Sequence, residues 1–272
     1  MKTIISIILY LSLIPLGSLS AGQHNQTLRG EEFEHTMLRD LEADRPDATE
    51  SPRTVDAGYF QLEMSFLGYS RNKVAGDKFE SWSWAETNLK YGLNDSMDLQ
   101  LIFAPHVRER SKVGGVSEEV DGFSDVTLRL KYNLWGNDGG STAFAVFPYI
   151  KIPSGSDVSN DEWEGGVIFP WALDLHEGVS LGLQAEFARV WDDGSYDLDF
   201  LHTAVIGFDV SDYLGIYIEY LGISGDHPYE AYASGGLTWA FADYFQWDAG
   251  AVFGINEAAE DLTTFAGFTV KF

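Results

Sequence analysis

The 272-residue chain is 45% hydrophobic and 14% aromatic, contains no cysteine and carries a formal net charge of −25. A chain this acidic lacks the basic footprint that binding to nucleic-acid phosphates requires, and without cysteine it has no disulfide framework. The length is enough for one large domain or two small ones.

The first residues have the pattern of a secretory signal peptide. Lys2 supplies a positive charge, residues 4–16 form a short apolar core, and residues 18–21 include the small side chains of a cleavage site. The apolar core is too short to span a membrane comfortably, so residues 1–21 are predicted to be removed on export. A retained membrane helix is the alternative. Residues 22–57 form a polar, acidic stretch, predicted to be a periplasmic leader.

From residue 58 to residue 272 the sequence predicts an all-β domain. Short segments alternate apolar and polar residues, and turn-rich connections separate them. Longer and shorter connections follow one another in turn, including long ones at 71–79 (RNKVAGDKF) and 108–123 (RERSKVGGVSEEVDGF). This alternation is typical of a transmembrane antiparallel up-and-down β-barrel. The twelve predicted strands span 59–70, 80–93, 97–107, 124–135, 141–152, 165–175, 179–191, 200–210, 214–223, 231–241, 245–255 and 262–272.

The faces of these strands support a membrane barrel. In residues 126–134, apolar residues alternate with Thr127, Arg129, Lys131 and Asn133, which fits a lipid-facing wall around a polar lumen. A soluble β-sandwich with Leu128 and Leu130 in its core would show the same alternation. Aromatic residues near the strand ends, and strand lengths close to the ~9–11 residues needed to cross a bilayer, favour the membrane barrel.

An even number of strands places both chain ends on the periplasmic side. The last strand, which ends in Phe272, is then expected to pair with the first, so that neither edge stays open. Alternating aromatic residues ending in phenylalanine also resemble the signal that the outer-membrane assembly machinery reads. The predicted location is the bacterial outer membrane, with its lipid and lipopolysaccharide as surroundings.

Several stretches of the chain resemble an outer-membrane β-barrel family named after the meta-pathway of phenol degradation. The longest match is DRPDATESPRTV at residues 44–55, followed by GYFQLE at residues 58–63. At Lys90 the family more often has arginine. The resemblance implies a single barrel that moves small molecules of aromatic or apolar character. Shorter similarities lie at 89–93, 124–128, 130–132, 151–155 and 218–222.

Residues 44–53 precede the first predicted strand and so lie at the periplasmic mouth. Pro46 and Pro52 prevent a regular helix or central strand there. We hypothesise that this stretch is a constriction or plug whose charges pair with the wall; a solvated leader is the alternative. A barrel filled by its own mixed charges is equally compatible with the pattern. The expected pore-lining or constriction residues are Arg45, Asp47, Glu50, Arg53, Glu63, Glu86, Lys90, Arg129, Lys131, Lys151, Glu219 and Asp248.

The sequence offers little evidence of catalysis. His106, His176, His202 and His227 lie near predicted strand ends, and a serine–histidine pair at the rim would suit a lipid hydrolase. The chain has no G-x-S-x-G elbow. The acidic loops do not follow a calcium-loop spacing, so no metal ligands or cofactors are assigned.

The sequence therefore predicts an outer-membrane channel for the passive passage of small molecules. The expected partners are the small-molecule cargo, outer-membrane lipid and lipopolysaccharide, and the assembly machinery; nucleic acid is not among them. A structural or surface-binding barrel with a closed lumen is the first alternative, and an outer-membrane lipid hydrolase is the second.

Overall fold

The computed structural model describes residues 38–192 and 194–272. The predicted signal peptide and residues 22–37 of the predicted leader lie outside these ranges. Within them, no helix is long and apolar enough to cross a membrane. The described secondary structure comprises fourteen strand segments: β1 (Phe60–Val74), β2 (Asp77–Asn94), β3 (Met97–Phe103), β4 (His106–Val113), β5 (Val116–Gly122), β6 (Val126–Trp135), β7 (Thr142–Ile152), β8 (Glu164–His176), β9 (Val179–Asp192), β10 (Ser195–Ser211), β11 (Leu214–Ser224), β12 (Glu230–Ala242), β13 (Phe245–Gly254) and β14 (Leu262–Lys271).

These segments form a closed antiparallel barrel of twelve strands. β3 and β4 both pair with β2, while β5 pairs with β4 and β6 pairs with β3. β3 and β4 therefore form one barrel strand, interrupted near Ala104. β5 and β6 form the next one, interrupted near Ser124. β1 pairs with β14 on one side and with β2 on the other, which closes the sheet. The predicted fold class is confirmed.

The strand faces follow the alternation of the sequence. In β6, Thr127, Arg129 and Lys131 are buried inside the barrel, whereas Leu134 on the opposite face is exposed. Polar residues inside and apolar residues outside are the reverse of a soluble β-sandwich, which would bury its leucines. The sandwich alternative is therefore wrong.

The prediction of long loops at residues 71–79 and 108–123 is wrong, because most of these residues belong to strands that continue beyond the predicted ends. The first hairpin turns at Ala75–Gly76 and the second at Gly114–Gly115, and all four residues have positive φ. Ion pairs between neighbouring strands, such as Arg110 to Glu119 at 2.6 Å, hold these charged runs in register. The resulting hairpin sheet comprises residues 71–84 and 106–122.

Aromatic side chains lie at both ends of the barrel wall. One end of the barrel carries the short turns, such as residues 95–96 and 212–213, and is called the short-turn end below. There the Phe60 ring contacts Tyr91 at 4.7 Å and Phe272 at 6.0 Å between ring centroids. Towards the hairpin sheet, the Tyr69 and Trp82 rings lie 5.5 Å apart. An aromatic belt near each end of the barrel wall is the arrangement expected at the two interfaces of a membrane.

Candidate pore constriction

A stretch of irregular backbone, residues 43–56, lies inside the barrel and is called the inner segment below. Its Pro46 and Pro52 lack the backbone N–H groups that a regular strand would need. Ala43 and Asp44 are both fully buried, and the polar residues from Arg45 to Ser51 are buried as well. The inner segment therefore occupies the lumen just before the chain enters β1.

Side chains of the wall accept the hydrogen bonds of this irregular backbone. The Asp44 amide donates to Glu63 at 2.8 Å, the Ala48 amide to Glu219 at 3.0 Å, and the Glu50 amide to Gln184 at 2.7 Å. The amides of Thr54 and Val55 donate to Asn137 and Asp98 in the same way. Buried backbone N–H groups need partners, so the polar lumen replaces the neighbouring strand that the segment lacks.

Asp44 is the centre of the largest charge cluster. Its carboxylate accepts a hydrogen bond from Lys131 Nζ at 2.9 Å and also pairs with Lys90, which in turn pairs with Glu63. Lys131 Nζ also donates to the Arg53 carbonyl oxygen at 3.0 Å. One aspartate thus joins strands β1, β2 and β6 to the inner segment.

Arg45 joins the inner segment to β13, which is separated from β1 only by β14. Its Nη2 lies 2.7 Å from Asp248 Oδ1 and its Nε lies 3.1 Å from Oδ2, so two parallel hydrogen bonds join the inner segment to β13. Both side chains are almost fully buried. Such bidentate pairs fix orientation as well as distance.

The middle of the inner segment is held by β6 and by two further strands, β10 and β11. Glu50 Oε1 accepts a hydrogen bond from Arg129 of β6 at 2.5 Å, and Thr49 contacts Thr203 of β10 at 2.6 Å. Thr49 also donates to Glu219 of β11 at 2.8 Å. Together with the contacts of Asp44 and Arg45, these bonds anchor the segment around most of the barrel circumference.

The structure also shows where the remaining predicted residues lie. Asp47 is buried within the inner segment, and Glu86 accepts a hydrogen bond from Ser83 at 3.4 Å. Arg53 pairs with Glu42 at 3.0 Å near the short-turn end. Lys151 does not join the inner segment, because it pairs with Asp125 at 3.1 Å and Glu164 at 2.8 Å near the other mouth.

A second ionic contact holds the inner segment where it leaves the lumen. Asp56 pairs with Lys271 at 2.9 Å and with Arg39 at 3.0 Å. Burial would raise the pKa of Asp56, but hydrogen bonds from Lys271 and Arg39 outweigh it and lower that pKa. Gly92 lies against this exit, since a Cβ there would fall 2.0 Å from the Asp56 carbonyl oxygen.

Carboxylates dominate the lumen at the opposite mouth. Glu186 accepts a hydrogen bond from Tyr149 at 2.6 Å, and Asp199 lies 3.4 Å from His227. Burial would lower the pKa of His227, but the Pro228 carbonyl and the carboxylates of Asp199 and Glu230 raise it. The imidazole therefore keeps its positive charge to higher pH than a free histidine.

The uncharged half of this site was not among the residues predicted for the constriction. Gln184, Asn133 and Asn137 bond to the inner segment, and the Tyr217 hydroxyl donates to the Pro46 carbonyl at 3.2 Å. The predicted constriction residues are all charged, although Asn133 was predicted to face the lumen. Except for Asn137, which lies in a turn, these residues occupy inward positions of predicted strands, so the alternation could have identified them.

The four histidines of the described residues have no serine nucleophile among their described contacts. His202 Nε2 lies 3.2 Å from the Tyr229 hydroxyl, and His227 contacts Asp199 and Glu230. His106 lies 3.9 Å from Asp121, and His176 contacts the Glu177 carbonyl. These contacts give no support to the hydrolase alternative.

A closed twelve-stranded barrel with apolar outer walls and a charged lumen is the fold of outer-membrane β-barrel proteins. Solved structures of such proteins are similar to it. An outer-membrane channel from Pseudomonas putida F1 aligns with a TM-score of 0.62 and 13% identity, over 82% of this chain and 98% of that one. The NanC porin aligns with a TM-score of 0.50 and 8% identity, over 77% of this chain and 98% of that one. The translocator domain of the autotransporter NalP from Neisseria meningitidis aligns with a TM-score of 0.50 and 11% identity, over 79% of this chain and 89% of that one.

The sequence profile of the family described as "Putative MetA-pathway of phenol degradation" matches residues 43–272. The chain belongs to this family, which confirms the resemblance drawn from the sequence. The comparison with curated proteins found no match. The predicted outer-membrane location agrees with the fold and with the structures similar to it. The matched range begins at the inner segment, so the family includes this segment together with the barrel.

Proposed function

We propose that the protein is an outer-membrane channel in which the inner segment narrows the pore and small molecules pass by diffusion. The observation that carries the proposal is the anchoring of residues 44–50 to β1, β2, β6, β9, β11 and β13 by buried ionic and hydrogen-bonded contacts. A solvated leader would not place its backbone amides on lumen side chains. The similar Pseudomonas putida protein is itself described as an outer membrane channel, which supports a non-enzymatic role.

An apolar surface inside the lumen favours cargo with apolar character. Leu221 and Ile223 of β11 form a buried cluster with Val252 of β13 and Phe265 of β14, and Ala48 of the inner segment joins it. These residues occupy inward positions, where a barrel lumen is otherwise polar. Because the cluster is buried, an aromatic or apolar molecule would contact it where Ala48 of the inner segment moves aside.

Deletion of residues 44–53 tests the constriction. The deleted protein is expected to show larger conductance steps in a planar bilayer than the intact protein, because the charged segment no longer occupies the lumen. The two proteins would be compared at equal salt, after heat-dependent gel mobility has shown both to be folded. Equal conductance would contradict the constriction, and folded protein that never conducts in either form would favour the closed structural barrel.

The carboxylates at the outer mouth should make the channel prefer cations. Glu186, Asp199, Glu230 and Glu260 lie at this mouth, where Lys151 already pairs with two acids. Rings of acidic side chains lower the barrier for cations and raise it for anions. In a tenfold potassium chloride gradient, the reversal potential is expected to have the sign of cation selectivity. Glu186→Gln with Glu260→Gln should move it towards zero, whereas the outward-facing Asp121→Asn should leave it unchanged.

The remaining features of the sequence stay predictions. They are the removal of residues 1–21 on export and the recognition of the strand ending in Phe272 by the assembly machinery. A processing assay would test the first of these. Competition by a peptide of residues 262–272 for the isolated assembly machinery would test the second.

A further inference from the structure

Positive charge is concentrated in two places in the described part of the chain. Of the 17 lysines and arginines, Lys2 and Arg29 precede the described residues. Eight of the others lie in the lumen or at its short-turn mouth. Only Arg189 lies apart, near the end of β9. The remaining six lie on the hairpin sheet: Arg71, Lys73, Lys78, Arg108, Arg110 and Lys112.

All six of these basic residues share one face of the hairpin sheet. Directly paired residues point to the same side of a sheet, and the side alternates along each strand. Lys78 pairs with Lys73 and with Lys112, and Trp82 pairs with Tyr69 and with Arg108. This is the face that continues the lipid-facing wall. The opposite face carries Glu109 and Glu118 instead.

The row of three lysines on this face lacks the alternation of charge found in the next row. In that next row Arg71, Glu80, Arg110 and Glu119 follow one another across the four strands, so each charge has an opposite neighbour. In the lysine row, Lys73, Lys78 and Lys112 lie side by side and are followed by Ser117. Like charges directly opposite one another destabilise a sheet. An anion seated on the row would remove this repulsion.

The position of the face identifies the anion. Trp82 and Trp84 belong to the aromatic belt, and Arg110 lies 5.7 Å from the Trp82 ring centroid, on the side of the belt away from the lipid tails. The lysine row lies one step farther along the same strands. We propose that this outward face binds the phosphorylated headgroups of the surrounding outer leaflet, those of lipopolysaccharide. The proposal depends on insertion of the barrel in an outer membrane, and not on its conducting.

The test uses the intact protein in detergent and three probes: bisphosphorylated lipid A, dephosphorylated lipid A and inorganic phosphate. Lys73→Gln with Lys112→Gln removes two members of the row and leaves the pair between Lys78 and Glu80, at 2.7 Å, in place. The matched control, Glu109→Gln with Glu118→Gln, changes the other face of the same sheet. Binding affinity and the midpoint of thermal unfolding are measured for each protein with each probe.

Bisphosphorylated lipid A is expected to raise the unfolding midpoint of the natural protein and of the control, and dephosphorylated lipid A is not. The lysine variant should bind bisphosphorylated lipid A about tenfold more weakly, since each basic residue near an anionic surface contributes a few-fold in affinity. Without lipid its midpoint should stay equal or rise, because repulsion is relieved. Equal binding by the lysine variant, equal binding of the two lipids, or the same response to inorganic phosphate would overturn the proposal. The conductance of the lysine variant, measured in parallel, should equal that of the natural protein. A failure of the channel proposal would therefore be seen as a separate result.

Discussion

Asp44→Asn is expected to raise the single-channel conductance and to make the open level noisy. The substitution keeps the shape of the side chain but removes the charge that Lys90 and Lys131 share. Removing one partner of a buried ion pair leaves the others uncompensated and costs about 3–5 kcal/mol. Here Lys131 loses its carboxylate partner and Lys90 keeps only Glu63, and water entering to solvate the two lysines should displace the inner segment.

Planar-bilayer recordings would measure this effect, with Asp138→Asn as the matched control. Asp138 lies at the same mouth but is exposed, with 83% of its side chain accessible. The control should conduct like the natural protein. If Asp44→Asn folds and its conductance and noise are unchanged, the lysines have found other partners and the inner segment does not limit the pore. Current that rises in both variants would point to a general effect of charge at the mouth.

The fold could be predicted from the sequence because both faces of a barrel strand are chemically distinct. Residues 126–134 alternate leucines with basic and amide side chains, and this alternation sets which side faces lipid. The two extended hairpins could not be predicted in the same way. Outside the membrane both faces of a strand are wet, so runs such as RERSKV lose the apolar half of the pattern. Pairing between Arg110 and Glu119, which alternation does not report, holds that part of the sheet.

The candidate site, too, could be predicted only in part from the sequence. Charged residues inside a barrel wall are easy to find, because each one interrupts an apolar strand, as Lys90 and Arg129 do. Which of them meet the inner segment depends on the path of an irregular backbone. Lys151, like Lys131, is a lysine at an inward position of a barrel strand. Lys131 pairs with Asp44 of the inner segment, whereas Lys151 pairs with Asp125 near the other mouth. Local sequence does not fix that path, because the hydrogen bonds that hold it come from many different strands.

The pair between Arg45 and Asp248 should show strong coupling in a double-mutant cycle. Arg45→Met leaves the fully buried Asp248 carboxylate uncompensated, and Asp248→Leu leaves the guanidinium uncompensated. Each single variant is expected to lose about 3–5 kcal/mol in the free energy of unfolding, whereas the double variant should recover most of this loss. Urea unfolding of the protein in detergent micelles would measure all four free energies. The exposed pair, changed by Arg110→Gln and Glu119→Gln, is the control, and should change the free energy little.

The double variant also separates two roles of the pair. An apolar couple can replace the lost stability, but it cannot reproduce the two parallel hydrogen bonds that orient the inner segment on β13. A constriction that depends on orientation should therefore stay widened in the double variant even though its stability has returned. Conductance that returns together with stability would mean instead that filling the lumen, by any side chains of similar volume, is what narrows the pore. If neither Arg45→Met nor Asp248→Leu lowered the free energy of unfolding, the buried ion pair on which both arguments depend would be contradicted.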